Sequence, residues 1–351
     1  MRDVIRRLAQ GLLAVAALAL VAFAVYCDEA WCDKHVFLPQ QFFIAASRGI
    51  VFWSRAFAAA TAFVLMLLVP RVPQGASARR LLIAALLSVP AADVLLQWRM
   101  GRLFRPELVA AMDALTTADP RYGVTFAPSI DRVQPLSGRE IRFRTDAERR
   151  RISGTPIDRA APSLVFTGES AVAGFGLQWE ETFPALVSAR LNLQVVNLAS
   201  PNYRADQSWL RLRDALPGLD HPVAVVGIFM PGLVGRSFAS QRRSHGSGLY
   251  RLWKHLYWSD AEIQEGVASV GSTLAGMAAL AKTRGAPCVF VVMGQTPPWM
   301  MHDVFEVRGL DAVVVDIPPS ELLADGHPGP RASIRIADAL EARLRTRIAA
   351  R

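Results

Sequence analysis

Charged residues and cysteines are both scarce in this sequence of 351 residues. Only 20% of the residues are charged and 52% are hydrophobic, whereas roughly 25% of an average soluble domain is charged. This balance excludes an intrinsically disordered chain and a collagen-like repeat. Three cysteines are too few for a disulfide-stabilised scaffold, and no CxxC or Cys/His spacing indicates a metal site. We therefore expect neither a metal nor a cofactor.

The basic residues are spread along the chain instead of clustering with aromatic residues. The chain has 39 Lys and Arg against 30 Asp and Glu, a formal charge of +9. This distribution predicts no nucleic-acid partner and favours contact with anionic lipid headgroups or acidic glycans. Cys27 and Cys32 lie close together, and either a disulfide in an oxidising compartment or two unpaired thiols fits them. Cys288, in an apolar segment, is expected to act as a small buried hydrophobic residue.

Three apolar runs predict that residues 1–103 form a membrane region. The runs span residues 8–26, 49–70 and 81–97. About 20 apolar residues in a helix cross a bilayer core. Arg6 and Arg7 precede the first run and no small-x-small cleavage site follows it, which favours an uncleaved anchor over a signal peptide. Asp93, in the third run, is either a functional intramembrane carboxylate or a solvated group near the helix end.

Arginines at the ends of these runs set the predicted orientation. Those before the first run and between the second and third are Arg2, Arg6, Arg7, Arg71, Arg79 and Arg80. The positive-inside rule places both segments in the cytoplasm, so that three crossings leave residues 104–351 outside. Three further arginines after the third run favour the opposite orientation. The sequence predicts a multi-pass protein of the inner (cytoplasmic) membrane whose globular domain, residues 104–351, faces the periplasm.

Short Val-rich runs alternate with helical patterns in that domain. The runs lie at residues 163–167, 193–197, 223–229, 287–293 and 312–316, and the helical patterns at 180–191, 205–216, 260–284 and 331–349. Continuous apolar runs are typical of parallel strands that are covered on both faces. The alternation therefore predicts an α/β fold with a doubly wound parallel sheet. Functional residues of such sheets gather at the carboxyl ends of the strands.

Residue types that suit nucleophilic catalysis follow three of these runs. Ser170 comes after the first run on a glycine-bearing turn, where it is either a helix N-cap or an exposed nucleophile. Asn197 and Asn202 follow the second run and resemble turn residues. Asp325 precedes His327 by two residues, a spacing that lets the carboxylate orient the imidazole.

In this order the motifs resemble the SGNH/GDSL hydrolase family, specifically its membrane-anchored bacterial members, over residues 118 to 345. The matching segments are 119–123, 166–170, 174–176, 182–184, 196–198, 206–207, 325–328 and 336–340. The resemblance implies a three-layer α/β/α fold of SGNH or flavodoxin type. It also implies that Ser170 is the nucleophile, His327 the general base and Asp325 its acidic partner, with the backbone N–H groups of Ser170 and Asn202 binding the oxyanion.

The sequence departs from the family pattern at three positions. Glu169 replaces the aspartate of the first block, a mild change, and Asn202 replaces the glycine of the second block. Asn tolerates left-handed backbone angles, so that its N–H can still point correctly. Pro231 and Gly232 stand where the third block has an Asn-Asp pair, and proline offers neither a side-chain amide nor an N–H. The candidates that could replace the missing asparagine as a hydrogen-bond donor are three residues predicted to lie in loops, His245, Gln295 and His302.

The leading hypothesis is a membrane-anchored serine esterase or O-acyltransferase that acts on an acyl ester of a cell-envelope glycan or lipid. Water as the second acceptor gives hydrolysis, whereas a sugar hydroxyl gives transfer, and the sequence leaves both open. The alternative hypothesis is a non-catalytic SGNH-like module for envelope binding or assembly with a degraded oxyanion hole, which Asn202 and Pro231 motivate.

Overall fold

The computed structural model describes residues 2–32, 34–35, 47–72, 80, 83, 112–239, 258–293 and 296–350. The chain divides into two compact units, each formed by two stretches of sequence. The first unit is residues 1–104 with 243–260, and the second is residues 105–242 with 261–351. The third predicted apolar run, which contains Asp93, lies almost wholly outside the described residues.

The first unit contains two helices that are long and apolar enough to cross a bilayer. Its described helices are α1 (Arg2–Tyr26), α2 (Glu29–Cys32) and α3 (Ser47–Leu68). The candidate spans, Arg6–Tyr26 and Val51–Arg71, coincide with the first two predicted runs. Large apolar side chains are exposed along both helices, among them Leu18 and Phe57. Such exposure suits a lipid environment better than water.

Helices α1 and α3 pack against each other in antiparallel orientation. Near the start of α1, Gln10 Nε2 donates to the carbonyl of Val69 at 3.1 Å. At the other end, Arg55 Nε donates to the carbonyl of Ala24 at 2.7 Å. The small buried residues of the two helices include Ala17, Ala58 and Ala62. Small side chains let helix backbones approach closely, which is how helices associate in membranes.

Cys27, Cys32 and Cys288 all lie among the described residues, and no disulfide joins them there. The Cys32 thiol donates to the carbonyl of Cys27 at 3.6 Å. Cys288, in the second unit, is only partly exposed, and burial raises the pKa of its thiol.

The second unit is built from the following described elements. The strands are β1 (Thr116–Asp119), β2 (Gly123–Phe126), β3 (Asp131–Leu136), β4 (Arg139–Arg144), β5 (Ser163–Phe166), β6 (Gln194–Asn197), β7 (Pro222–Phe229), β8 (Cys288–Met293) and β9 (Ala312–Val315). The helices are α4 (Ser170–Ala173), α5 (Phe183–Leu191), α6 (Ala205–Ala215), α7 (Gly232–Ala239), α8 (Asp260–Thr283), α9 (Pro298–Val304) and α10 (Pro330–Ala349).

Five parallel strands form the central sheet in the order β6-β5-β7-β8-β9. The strand order reverses between β5 and β7, as it does in doubly wound sheets of flavodoxin type. The residues of β5 and most residues of β7 and β8 are fully buried, which explains their continuous apolar sequences. The predicted doubly wound α/β fold is confirmed. The reversal point also marks the sheet edge where a site is expected.

The helices cover both faces of this sheet. From β5 the chain crosses to β6 on one side, and from β6 it crosses back over β5 to β7 on the other side. Because both crossovers are right-handed, α5 and α6 lie on opposite faces of the sheet. On the first face α10 packs on α5, where Arg190 Nη1 lies 2.6 Å from Asp338 Oδ1. On the second face, side chains of α6, α7 and α8 surround one small cavity. The sheet is therefore held rigidly between two helical layers.

Two antiparallel pairs of strands precede the sheet and were not predicted from the sequence. Strand β1 pairs with β2, and β3 pairs with β4. Their sequences are short and largely polar because one side of each strand is exposed, which leaves no continuous apolar run to detect. The β3–β4 hairpin turns through Ser137 and Gly138, both with positive φ, which is the geometry of a type I′ turn.

Helix α5 begins three residues later than the predicted pattern at 180–191. Residues Trp179–Glu181 form a 3₁₀ turn instead. The helix starts after Thr182, whose side chain accepts the N–H of Ala185 at 3.3 Å, and such a cap fixes the first turn. Asn192 ends the helix in the left-handed conformation with φ 52°.

Close packing between Gly227 on β7 and Phe290 on β8 predicts that a larger residue at position 227 is destabilising. A Cβ added to Gly227 in β7 would lie 2.6 Å from the ring of Phe290 on β8, and overpacking of this kind costs about 1–3 kcal/mol. We expect Gly227→Ala to lower the free energy of unfolding by that amount in thermal or urea unfolding. Gly218→Ala, where nothing lies within 4 Å of the new atom, is the matched control. Equal stability of the two variants would contradict the packing argument.

Candidate active site

Ser170 lies on a sharp turn at the carboxyl end of strand β5, next to the reversal of strand order. Gly168 has φ +155°, and a Cβ there would lie 2.5 Å from Ile228 and 2.6 Å from Val172. The Glu169 side chain caps α4 by accepting a backbone N–H at 3.4 Å. The turn therefore requires glycine and presents the Ser170 hydroxyl at the edge of the sheet.

His327 lies on a tight loop between β9 and α10. The N–H of Leu323 donates to the carbonyl of His327 at 2.8 Å, and the N–H of Gly326 donates to that of Leu323 at 2.9 Å. Gly326 has φ 91°, a left-handed conformation that few other residues adopt. These backbone bonds close the loop into a small hairpin and fix the imidazole at its end.

The structure brings the three predicted catalytic residues together. His327 Nε2 lies 2.8 Å from Ser170 Oγ, and His327 Nδ1 lies 3.0 Å from Asp325 Oδ2. The second contact is close but poorly aligned as a hydrogen bond, because Nδ1 does not point directly at the oxygen. The Phe175 ring packs against the imidazole with centroids 5.3 Å apart. The arrangement places the imidazole between a hydroxyl whose proton it can accept and a carboxylate that can stabilise its positive charge; the catalytic roles themselves stay a prediction.

The side chains of Asp325 and His327 are both largely shielded from solvent. Side-chain exposure is 6% for Asp325 and 17% for His327. Burial raises the pKa of Asp325, but hydrogen bonding and charge from His327, with a hydrogen bond from Ser137, outweigh it and lower the pKa to about 2. Asp325 is therefore ionised at neutral pH and can stabilise a positive charge on the imidazole.

The β3–β4 hairpin reaches this site, a contact that the sequence analysis missed. Ser137 Oγ donates a hydrogen bond to Asp325 Oδ2 from the tip of the hairpin. Arg139 Nη1 also donates to the carbonyl of Gly176 at 3.2 Å. The Ser137-Gly138 pair between two strands is a turn signal in the sequence. The sequence could therefore have predicted the turn. It could not have predicted the contact of Ser137 with Asp325, which lies 188 residues further along the chain.

Arg151 is a second residue that the sequence analysis missed. Its side chain is buried and donates to the carbonyls of Ala173, Gly174 and Leu177 at 2.5–2.6 Å, just after the nucleophile helix. The guanidinium also lies 4.4 Å from the centre of the Phe143 ring. Burial lowers its pKa to about 9, so that it is charged at neutral pH. It stands in a run of three arginines, where no local signal distinguishes it.

Asn202 has φ 58°. This is the left-handed backbone conformation expected at a position where the family pattern has glycine. It is exposed on the loop after β6. That loop is fastened to the nucleophile turn, because the N–H of Ser200 donates to the carbonyl of Gly168 at 3.3 Å. Buried Asn197 adds a second link through its amide, which donates to the carbonyl of Val172 at 3.0 Å. The role of the Asn202 N–H as an oxyanion donor stays a prediction.

Pro231 is buried and lies two residues after the end of β7, which is the strand next to β5 in the sheet. It brings no donor to the site. Of the candidate substitutes, His302 is exposed and pairs with Asp303, with Nδ1 3.0 Å from the carboxylate. His245 and Gln295 lie outside the described residues. Of the three candidates, only His302 lies among the described residues, and its imidazole pairs with Asp303.

No family model and no curated protein matches the sequence, but solved structures do. The chain is similar to TesA at 21% identity, covering 52% of this chain and 98% of that one with a TM-score of 0.40. It is similar to the psychrotrophic esterase EstA from Pseudoalteromonas sp., inhibited by monoethylphosphonate, at 12% identity, with 53% and 98% covered and a TM-score of 0.37.

A third similar structure is a member of the lipolytic protein G-D-S-L family from Veillonella parvula DSM 2008. The identity is 12%, with 51% of this chain and 96% of that one covered and a TM-score of 0.34. The G-D-S-L family is the one that the sequence motifs resemble. Each match covers about half of this chain.

The environment of Asp325 predicts a pH-dependent contribution to stability. Its pKa is about 2 in the folded chain against an ordinary value of 3.8, so that its stabilising effect is present above pH 4 and lost as the pH falls toward 2. Asp325→Asn removes this effect. We expect the difference in unfolding free energy between the parent and the variant to shrink by on the order of 2 kcal/mol from pH 5 to pH 2, measured by urea unfolding. A constant difference would contradict the assignment.

Proposed function

We propose that this protein is a membrane-anchored serine esterase or O-acyltransferase that acts on an acyl ester of a cell-envelope glycan or lipid. The observation that carries the proposal is the continuous path Ser170 Oγ–His327 Nε2 and His327 Nδ1–Asp325 Oδ2, at 2.8 and 3.0 Å. Nucleophile, base and orienting carboxylate lie within reach of one another at the carboxyl edge of a parallel sheet. Activation of a serine hydroxyl needs this arrangement.

The first half-reaction forms an acyl-enzyme. Ser170 Oγ attacks the acyl carbonyl carbon while His327 Nε2 takes the hydroxyl proton, and Asp325 stabilises the resulting imidazolium. The negative charge on the former carbonyl oxygen is bound by the backbone N–H groups of Ser170 and Asn202. The bond between the acyl carbon and the alcohol oxygen then breaks, and His327 returns the proton to the departing alcohol.

The second half-reaction transfers the acyl group from Ser170 to an acceptor hydroxyl. His327 removes a proton from the acceptor, whose oxygen attacks the acyl carbon, and the proton ends on Ser170 Oγ. Water as acceptor gives a carboxylic acid, whereas a sugar hydroxyl gives a new ester. The same residues serve both outcomes, and the acceptor is set by what the site admits.

The first unit supports the proposed envelope substrate and the proposed location. Helices α1 and α3 expose large apolar side chains along lengths that cross a bilayer. The arginines at the ends of the predicted spans favour a cytoplasmic N-terminus and a domain of residues 104–351 in the periplasm. An enzyme held there meets acylated glycans and lipids, and its net charge of +9 suits anionic surfaces.

Substitution of the nucleophile tests the proposal directly. We expect Ser170→Ala to lower the hydrolysis of a chromogenic acetyl ester by about 10³-fold or more, because the acyl-enzyme cannot form. Ser188→Ala is the matched control: it removes a buried serine hydroxyl on α5 that makes no hydrogen bond within the described chain, and it should leave the rate unchanged. Full activity in Ser170→Ala would refute the proposed nucleophile.

Pro231 favours a second candidate function, a non-catalytic module for envelope binding or assembly that keeps the fold. Covalent labelling with a serine-reactive fluorophosphonate distinguishes the two functions, because the reagent requires an activated hydroxyl. We expect labelling of the purified protein at Ser170, detected by mass spectrometry of the labelled peptide, and its loss in His327→Ala. An unlabelled parent protein would favour the binding module.

A further inference from the structure

We infer that Ser137, at the tip of the β3–β4 hairpin, is a positioning residue that holds the Asp325 carboxylate against the imidazole of His327. The inference rests on the proposed function and adds a fourth side chain that supports its catalytic group. Ser137 does not touch the reacting atoms and acts only through Asp325.

The Asp325 carboxylate is fixed at both oxygens by groups other than the imidazole. The hydroxyl of Ser137 donates to Oδ2, the same oxygen that faces His327 Nδ1. The backbone N–H of His327 donates to Oδ1 at 3.2 Å. With both oxygens held, the carboxylate cannot rotate about its Cβ–Cγ bond without losing a hydrogen bond. A carboxylate oxygen accepts more than one hydrogen bond, so that Ser137 and the imidazole share Oδ2 without competing.

The hairpin is built to present this hydroxyl in one place. Ser137 and Gly138 have φ 53° and 76°, the tight type I′ turn that suits a two-residue hairpin loop. Buried Leu136 anchors the strand end beside the turn. On the far side, Arg139 donates to Glu181 Oε1 at 2.8 Å and to the carbonyl of Gly176 at 3.2 Å.

The segment that follows the nucleophile is therefore tied to the same hairpin as the carboxylate. The Gln178 side chain strengthens this tie, because its amide donates to the carbonyl of Glu140 at 2.9 Å and its oxygen accepts the N–H of Arg142 at 3.2 Å. Space is also restricted: a Cβ on Gly176 would lie 2.7 Å from Ser137 Oγ. The hairpin tip fits closely between the nucleophile segment and the histidine loop.

The neutral hydroxyl is chemically suited to this role. A positive group at the same place would compete with the imidazolium for the carboxylate charge, whereas a hydroxyl donates a proton without adding charge. It also fixes the direction of Oδ2 in a pair whose Nδ1–Oδ2 alignment is poor. Loss of the hydroxyl should leave substrate binding intact and weaken the support of the imidazolium that forms during the reaction.

The first test removes the hydroxyl without weakening the turn. Ser137→Gly places at φ 53° the residue that adopts this angle most readily. We expect kcat for the acetyl ester to fall about tenfold, with KM and the melting temperature nearly unchanged. Ser129→Gly is the matched control, because Ser129 is an exposed serine with the same φ of 53°. It should leave kcat unchanged.

A second variant separates the hydroxyl from the turn. Ser137→Ala also removes the hydroxyl but disfavours the positive φ, so that it should lower the melting temperature while reducing kcat by the same factor. A fall in kcat that both variants share is caused by the loss of the hydroxyl and not by a change in the turn. Parent-like kcat in either folded variant, or a fall in Ser129→Gly as large as that in Ser137→Gly, would overturn the inference.

A double-mutant cycle decides whether Ser137 acts through Asp325. In the Asp325→Ala background, Ser137→Gly should cause no further fall in kcat, because the carboxylate that it positions is absent. An equal fall in both backgrounds would show that Ser137 acts by another route and would reject the inference. Failure of the proposed function is distinguishable, because it appears as undiminished activity in Ser170→Ala whatever the Ser137 variants do.

Discussion

The exit of the chain from strand β5 is the constraint on which the rest of the site depends. β5 lies inside the sheet, covered on both faces, and the chain must leave it and enter a helix within three residues. Only a glycine fits at residue 168, because Ile228 and Val172 occupy the space of any side chain. The hydroxyl of Ser170 is thereby aimed at the sheet edge before any partner is considered. The histidine loop, the hairpin and the loop after β6 are then arranged around a point that the sheet has fixed.

Two charged side chains, Arg151 and Asp325, hold that arrangement together through hydrogen bonds. Arg151 satisfies three carbonyl groups at the end of the nucleophile turn, where helix termini otherwise leave acceptors unpaired. Asp325 receives donors from Ser137 and from the backbone of its own loop. An unpaired buried charge costs several kcal/mol, and a fully hydrogen-bonded one costs much less. The site therefore keeps an ionised carboxylate in a confined place without a large loss of stability.

Much of the second unit could be predicted from the sequence, and the failures have two physical causes. The five Val-rich runs correspond to the five sheet strands, and the order of motifs indicated that Ser170, Asp325 and His327 would meet. Those features are local, or follow from the rule that sites lie at carboxyl strand ends. Ser137 and Arg151 were missed because their partners lie far along the chain or are backbone carbonyls, which carry no sequence signal. The half-exposed strands of the hairpins were missed because only one side of each is apolar.

Removing different catalytic groups lowers a reaction rate by very different factors. This difference explains why a catalytic function remains the better account of the site despite Pro231. Loss of one oxyanion donor reduces a rate by about 10²–10³-fold, whereas loss of the serine or histidine of a triad reduces it by about 10⁶-fold. Pro231 removes a donor of the first kind, whereas the serine hydroxyl and the imidazole are both present and lie 2.8 Å apart. The ionised carboxylate contributes to stability in either kind of domain, but it supports an imidazolium only in a catalytic one. The contact between the Ser170 hydroxyl and the His327 imidazole is therefore the feature that favours catalysis over binding.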